Sequence, residues 1–244
     1  MKICVIIPTL NEESNILKIF QKIRNTKLKL DILFIDDNST DESQKIIINL
    51  KKKYNFVKYI FRNKKVGIGS AHKDGIKYAY KKKYDLIISM DADGTHDPKY
   101  FNNMILNAKN FDYVITSRFK KPNLIKDWPV SRKILTYTRH IMVRMFLGIT
   151  YDASGAYRSF FTKKIKLSDI LSAKNNDYAF FWEVTYTIKK KNYSIFEVPV
   201  RLAHRKLGKS KMKISHIFYS LMYLFKIYIY LRSNYEQAKY NTKP

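Results

Sequence analysis

Short, almost wholly apolar runs alternate with amphipathic stretches through the first half of the chain. Ile3–Ile7, Asp31–Asp36, Val57–Phe61, Asp85–Met90 and Tyr113–Ser117 are rich in Ile, Val and Phe and read as strands. Between the first two, Ile16, Ile19, Phe20 and Ile23 recur at helical spacing. Ile46, Ile47 and Leu50 mark a second helix, and Ala71, Ile76 and Ala79 a third. Pro98 sits where the first turn of a fourth would start, ahead of Met104, Ile105 and Ala108. Such alternation predicts an α/β fold: a mostly parallel central sheet with helices on both faces. Beyond residue 120 the rhythm changes. Residues 124–147 read as one long helix, Ser154-Gly155-Ala156 as a tight break, and a shorter αβ section ends in the strand-like Ser194–Val200. No internal repeat or low-complexity linker divides the chain.

Composition narrows the class. Apolar residues make up 45% of the 244 and charged residues 27%, enough for a real core and too apolar for a disordered chain. Lys and Arg number 47 against 20 Asp and Glu, a net charge of +27 that favours an anionic partner. Nucleic acid, a nucleotide, a phospholipid surface and a phosphorylated substrate all qualify. Nucleic acid fits least, because no zinc-finger spacing or RNP-like motif is present and the acidic clusters described next would repel its phosphates. Cys4 is the only cysteine, which excludes a disulfide framework and a thiolate metal site. The apolar run closed by Pro8 is too short for a signal peptide, so a reducing, cytoplasmic setting is expected.

Three polar clusters follow directly on predicted strands: Pro8 to Glu12, Asp36 to Asp41, and Asp91-Ala92-Asp93. Asn11 and Asp41 also suit helix caps, and Asp-Asn-Ser is ordinary turn chemistry. All three clusters nevertheless belong at the carboxyl edge of a parallel sheet, where ligands gather. Carboxylates crowded there need a cation or a hydrogen-bonding ligand to offset their repulsion. Asp91 and Asp93, alternate residues at a strand end, suit a hard divalent cation that keeps positions open for substrate phosphates. Asp37 could accept hydrogen bonds from a base or ribose. His72, His140 and His216 show no ligand spacing, so zinc is not expected; His96 follows the Asp pair closely enough to approach the metal, but a turn role is the first reading.

In order along the chain, Ile6-Ile7-Pro8-Thr9-Leu10-Asn11-Glu12, Ile35-Asp36-Asp37-Asn38-Ser39-Thr40-Asp41, Gly67-Ile68-Gly69, Met90 to His96 and Thr116-Ser117-Arg118 resemble the family 2 glycosyltransferases, above all the dolichol-phosphate mannose synthase group. The resemblance runs from Lys2 to about Met212. It implies a GT-A fold, a nucleotide-sugar donor, a divalent Mg²⁺ or Mn²⁺, and inverting transfer, often to a polyprenyl or dolichyl phosphate. It places Pro8, Leu10, Glu12, Ile35 and Asp37 around the base and ribose, and Asp91, Ala92 and Asp93 at the metal and diphosphate. Thr95 stands where many members carry a metal-binding Gln and would join Asp91 and Asp93 at the metal, weakly or through water, and Leu10 stands where many carry Tyr. Asp152–Gly155 differs from the commoner Pro-Thr-Ser-Gly form. Arg118, Arg132 and Arg205 match positions facing donor or acceptor phosphates. Ser210 and Lys211, in the Arg-x-x-Gly-x-Ser-Lys stretch, would close over them, although a solvated basic loop is the plainer alternative. Residues 1–120 then form a nucleotide-binding half and 121–212 an acceptor half, followed by an amphipathic helix and tail at 213–244.

The acceptor decides whether a base is needed. A lipid monophosphate, with a second pKa of roughly 6, is largely a dianion near pH 7 and needs none. A saccharide hydroxyl, the alternative acceptor in cell-surface polysaccharide synthesis, needs a carboxylate within reach. Asp152 and Glu183 are the candidates, although Glu183 also suits anchoring a basic loop. Ile217–Leu231 is apolar or Tyr-rich but short, and Lys226 interrupts it, so it predicts an interfacial helix rather than a span. Peripheral association with the cytoplasmic face of a membrane is expected. A core helix, or a docking surface for a small membrane-anchor subunit, would have the same pattern.

Overall fold

The computed structural model describes residues 1–202 and 219–230. Arg205, Ser210 and Lys211, and the boundary at residue 212, lie outside the described residues. Five strands follow the expected positions: β1 (Ile3–Thr9), β2 (Asp31–Asp36), β3 (Val57–Phe61), β4 (Leu86–Ser89) and β5 (Tyr113–Ser117). Two more, β6 (Arg158–Phe161) and β7 (Ile195–Pro199), complete a seven-stranded sheet in the order β3-β2-β1-β4-β6-β5-β7. β6 runs antiparallel to β4 and β5, and the other pairings are parallel. β6 therefore enters the sheet at the edge where β1, β2, β4 and β5 leave it. That edge collects loops from both halves of the chain.

Strand periodicity sorts the core. On β1, Ile3, Val5 and Ile7 face one apolar layer while Cys4 and Ile6 face the other. The first layer is closed by α1 (Glu13–Asn25), α2 (Ser43–Lys53) and α4 (Phe101–Asn110), and the second by α3 (Ile68–Lys81), α6 (Leu167–Leu171) and α7 (Ala179–Lys190). Each fully buried Ile or Leu removed from water contributes about 2 kcal/mol. In α1 the buried Ile16, Ile19, Phe20 and Ile23 form the predicted stripe, with Glu13 in the first turn and Lys22 and Arg24 in the last, as the helix dipole favours. In α3, Gly75 lets the helix approach the sheet: a Cβ there would lie 2.6 Å from Ile6 Cγ2 and 2.9 Å from Ile35 Cδ1.

The long helix begins later than its apolar pattern predicts. α5 spans Val130–Leu147, not 124–147. Asn123 has a left-handed φ of 62°, and Pro129 is the N-cap, forcing its predecessor away from helical geometry. The segment between them forms turns that bring Trp128 inward. α5 ends at Gly148, whose φ of 62° suits a left-handed cap. A third cluster joins Val143 and Leu147 of α5 to Trp182 of α7 and to Leu224 of the helical residues 219–230. Among the described residues no helix is long and apolar enough to cross a membrane.

Candidate active site

The acidic clusters divide their labour. Asp36 accepts hydrogen bonds from Thr9 Oγ1 at 3.0 Å, Ser39 N at 2.8 Å and Gln44 Nε2 at 2.8 Å, and so ties the ends of β1 and β2 together. Asn11, at φ 51°, accepts from Thr40 N at 2.8 Å, and Asp41 accepts from Glu13 N at 3.2 Å. These residues stitch the two loops, as their turn chemistry allows. Asp37 faces the open side. Its carboxylate accepts the Val66 and Gly67 amides at 3.0 Å each and pairs with Arg62 at 3.0 Å. It thereby fixes the glycine loop that leads into α3.

After β4 the chain turns through Gly94, at φ 78°. Asp93 Oδ1 accepts from Thr95 N at 3.0 Å and Thr95 Oγ1 at 2.7 Å. His96 Nδ1 accepts from the Asp91 amide at 2.9 Å, so the ring proton of the neutral imidazole belongs on Nε2. Its ring stacks on Tyr157 at 4.9 Å. Burial lowers its pKa to about 4, against the pull of Asp93, and it is uncharged near neutrality. His96 is thus a turn residue, as expected, that also lines the cleft.

Arginines line the same cleft. Arg118 follows β5, and its Nε donates to Asp152 at 2.8 Å while its backbone amide donates to the same carboxylate at 2.9 Å. Burial would lower the Arg118 pKa, but the charge of Asp152 and its hydrogen bond together outweigh it and the net shift is upward. Burial likewise would raise the Asp152 pKa, and Arg118 holds it below the usual carboxylate value. Arg132 lies 3.7 Å over the Trp128 ring, whose Nε1 donates to the Leu202 carbonyl at 3.3 Å.

The loops enclose a cavity of about 620 Å³. Pro8, Leu10, Glu12 and Asp37 line it, as do Asp91, Ala92, Asp93 and Thr95 on the β4 side, together with Arg118 and Arg132. Three expected residues do not. Ile35 is sealed in the layer beneath α3. Asp152 lies behind Arg118, bound to it. Glu183 accepts the backbone amides of Lys174 at 2.8 Å and Asn175 at 2.9 Å, and Tyr223 Oη donates to it at 3.2 Å. Both carboxylates considered as a base are thus engaged: one pairs with an arginine and the other holds a loop. Conversely, Arg139 was not anticipated and does line the cavity. Its signal was present, since Arg132, Leu135, Thr136 and Arg139 share one helical face. Among the described residues no group of three or more His, Cys, Asp or Glu is arranged around a metal.

Comparison with known proteins agrees with this geometry. The chain matches the sequence profile of glycosyl transferase family 2 over residues 4–167. It is 28% identical to the undecaprenyl-phosphate mannosyltransferase of Micrococcus luteus over 213 residues, covering 87% of this chain and 88% of that protein. It is 30% identical to the polyprenol monophosphomannose synthase of Mycolicibacterium smegmatis over 217 residues, covering 87% and 82%. Among solved structures, glucosyl-3-phosphoglycerate synthase from Mycobacterium tuberculosis, in complex with Mn²⁺, UDP and glucosyl-3-phosphoglycerate, superposes with a TM-score of 0.59 at 16% identity, covering 92% of this chain and 77% of that one. The sheet order, the cleft at its carboxyl edge and the matched profile identify a GT-A glycosyltransferase, and the chain belongs to glycosyl transferase family 2.

Proposed function

We propose that this glycosyltransferase moves mannose from GDP-mannose to the phosphate of a polyprenyl lipid, with inversion at the sugar. The names of the two relatives support that pairing of sugar and acceptor. The observation that carries the reading is the lining of the cleft, which brings Asp91 and Asp93 into one cavity with Arg118, Arg132 and Arg139. Asp91 and Asp93 suit a single divalent Mg²⁺ or Mn²⁺ that leaves its other positions to water and phosphate, since the protein supplies only these two carboxylates from one turn. When bound, such an ion neutralises charge on the departing diphosphate. Thr95 Oγ1 donates a hydrogen bond to Asp93 and so orients that carboxylate. The acceptor phosphate sits against Arg118, Arg132 and Arg139. Its oxygen forms the new bond to the anomeric carbon as the bond to the diphosphate breaks on the opposite face.

The three arginines also favour a phosphate over a saccharide hydroxyl. Both residues first considered as a base have their carboxylates engaged, and a dianionic phosphate needs no base. The protein, full chain, is incubated with radiolabelled GDP-mannose, Mn²⁺, and polyprenyl phosphate or a saccharide acceptor. Label is expected in the lipid extract, and to fall to background in Asp93→Ala with the fold intact. Label confined to the saccharide would refute the acceptor. Full transfer by Asp93→Ala would refute the metal site.

A further inference from the structure

Asp177 and Lys65 both line the cleft, and neither side chain has a hydrogen-bond or ion-pair partner among the described residues. They are not paired with each other either. Asp177 lies in the segment that leads into α7, yet its carboxylate does not cap that helix; its backbone carbonyl accepts from Phe180 N at 3.1 Å. The carboxylate is turned instead into the space that Gly67 leaves free. A Cβ on Gly67 would lie 2.5 Å from Asp177 Oδ1. Lys65 stands two residues before that glycine, so an acceptor and a donor flank one point of the cleft.

The position of Gly67 fixes which end of the cleft this is. Its amide donates to Asp37 Oδ2 at 3.0 Å, which sets Asp177 and Lys65 beside the end of β2. Asp91 and Asp93 follow β4, and β1 lies between β2 and β4. Two strand spacings are about 10 Å, comparable with the length of a nucleoside diphosphate. With the diphosphate at Asp91 and Asp93, the base comes to Asp177 and Lys65. The family resemblance assigns Asp37 to the base or ribose, but that residue is only 4% exposed and its carboxylate already holds two backbone amides and Arg62. Asp177 is the acceptor left open beside it.

We propose that Asp177 and Lys65 select guanine as the base of the donor. Guanine presents side by side an acceptor at O6 and donors at N1 and the 2-amino group. An ammonium only donates and a carboxylate only accepts, so O6 falls to Lys65 and the two N–H groups to Asp177. Adenine carries its donor and acceptor in the reverse order. Uracil has a carbonyl oxygen on each side of its N3–H, and one of them would face the carboxylate. Pro8 and Leu10 supply apolar lining for the ring. The inference rests on the GDP-mannose donor of the proposed function and deepens it by naming the residues that read the base.

The test is calorimetry of the full chain, with Mn²⁺, against GDP, UDP, inosine diphosphate and xanthosine diphosphate. Inosine lacks the 2-amino group, and xanthosine carries an oxygen in its place. Wild-type protein is expected to bind inosine diphosphate roughly tenfold more weakly than GDP, the loss of one charge-assisted hydrogen bond, and xanthosine diphosphate more weakly still. Asp177→Asn offers one acceptor and one donor in the same space. It should lose roughly tenfold or more in GDP affinity and gain affinity for xanthosine diphosphate, a gain that damage to the fold cannot produce. Lys65→Ala should weaken the three purine nucleotides alike. Should Asp177→Asn misfold, Asp177→Ala is expected to bind GDP and inosine diphosphate equally. The inference is overturned if wild-type protein binds those two alike, or if a folded Asp177 variant keeps the wild-type ranking. A preference for GDP over UDP that does not depend on Asp177 would remove this inference and leave the proposed donor standing. Tighter binding of UDP than of GDP would remove both.

Discussion

Arg139 is the residue whose environment most clearly calls for a ligand. Among the described residues it has no hydrogen-bond or ion-pair partner, and burial together with Arg118 lowers its pKa to about 10. A guanidinium held this way is stabilised by an incoming phosphate. Arg139→Ala is expected to raise KM for polyprenyl phosphate by roughly ten- to a hundredfold, the range of a charge-assisted hydrogen bond. GDP-mannose affinity should be retained and Tm should not fall. A lowered Tm with KM unchanged would make Arg139 a structural residue. Asp152 behaves oppositely: Asp152→Asn strips a buried arginine of its countercharge and should cost about 3–5 kcal/mol in denaturant unfolding. Loss of transfer without that destabilisation would return Asp152 to the chemistry. The two aspartates after β4 could be read from the chain because residues closing a parallel strand have only one edge to occupy, whereas Arg118 was reached only through the family resemblance. The engagement of Asp152 and Glu183 could not, since Arg118 lies 34 positions from the first and Tyr223 lies 40 from the second.

At the scale of elements, the apolar runs of the first half were legible because parallel strands are buried on both faces and read as unbroken hydrophobic segments. β6 was not, since Arg-Ser-Phe-Phe is too short to show alternation and its pairing with β4 and β5 is non-local. Yet β6 is the strand that carries Ser154 to Ala156 to the cleft. The junction of α3 with the segment before α7 is tighter than sequence could indicate. A Cβ on Gly69 would lie 2.6 Å from Phe180 Cβ and 2.7 Å from the Asp177 carbonyl oxygen. Neither atom can swing aside, and Asp177 and Tyr178 line the cleft. Gly69→Ala gains about 1 kcal/mol of helix propensity but meets overpacking of about 1–3 kcal/mol. The expected result is a lower Tm together with weaker donor binding by calorimetry. A raised Tm would show that the two helices part more easily than their contact suggests.

For the whole molecule, acid stability combines a diffuse effect with a local one. The net charge of +27 rises as carboxylates protonate, and the resulting repulsion is relieved by salt. His72 acts differently. It is buried on α3 between Phe180, stacked at 6.2 Å, and Phe181, edge-on at 5.1 Å, and its Nε2 has no hydrogen-bond partner. Burial, reinforced by Arg158 and His96, lowers its pKa from 6.5 to about 3. Because the folded value lies below the unfolded one, the unfolded chain takes up a proton that the folded chain refuses. The His72 contribution is therefore complete above pH 6.5 and is lost progressively down to about pH 3. Each pH unit in that window costs about 1.4 kcal/mol, or about 2 kcal/mol between neutrality and pH 5. His72→Leu, similar in volume and without a titrating group, should flatten the dependence of unfolding free energy on pH by that slope, and do so equally at low and high salt. If added salt alone restores the wild-type protein at pH 5, and His72→Leu changes nothing, charge repulsion governs acid unfolding and the buried imidazole has no part in it.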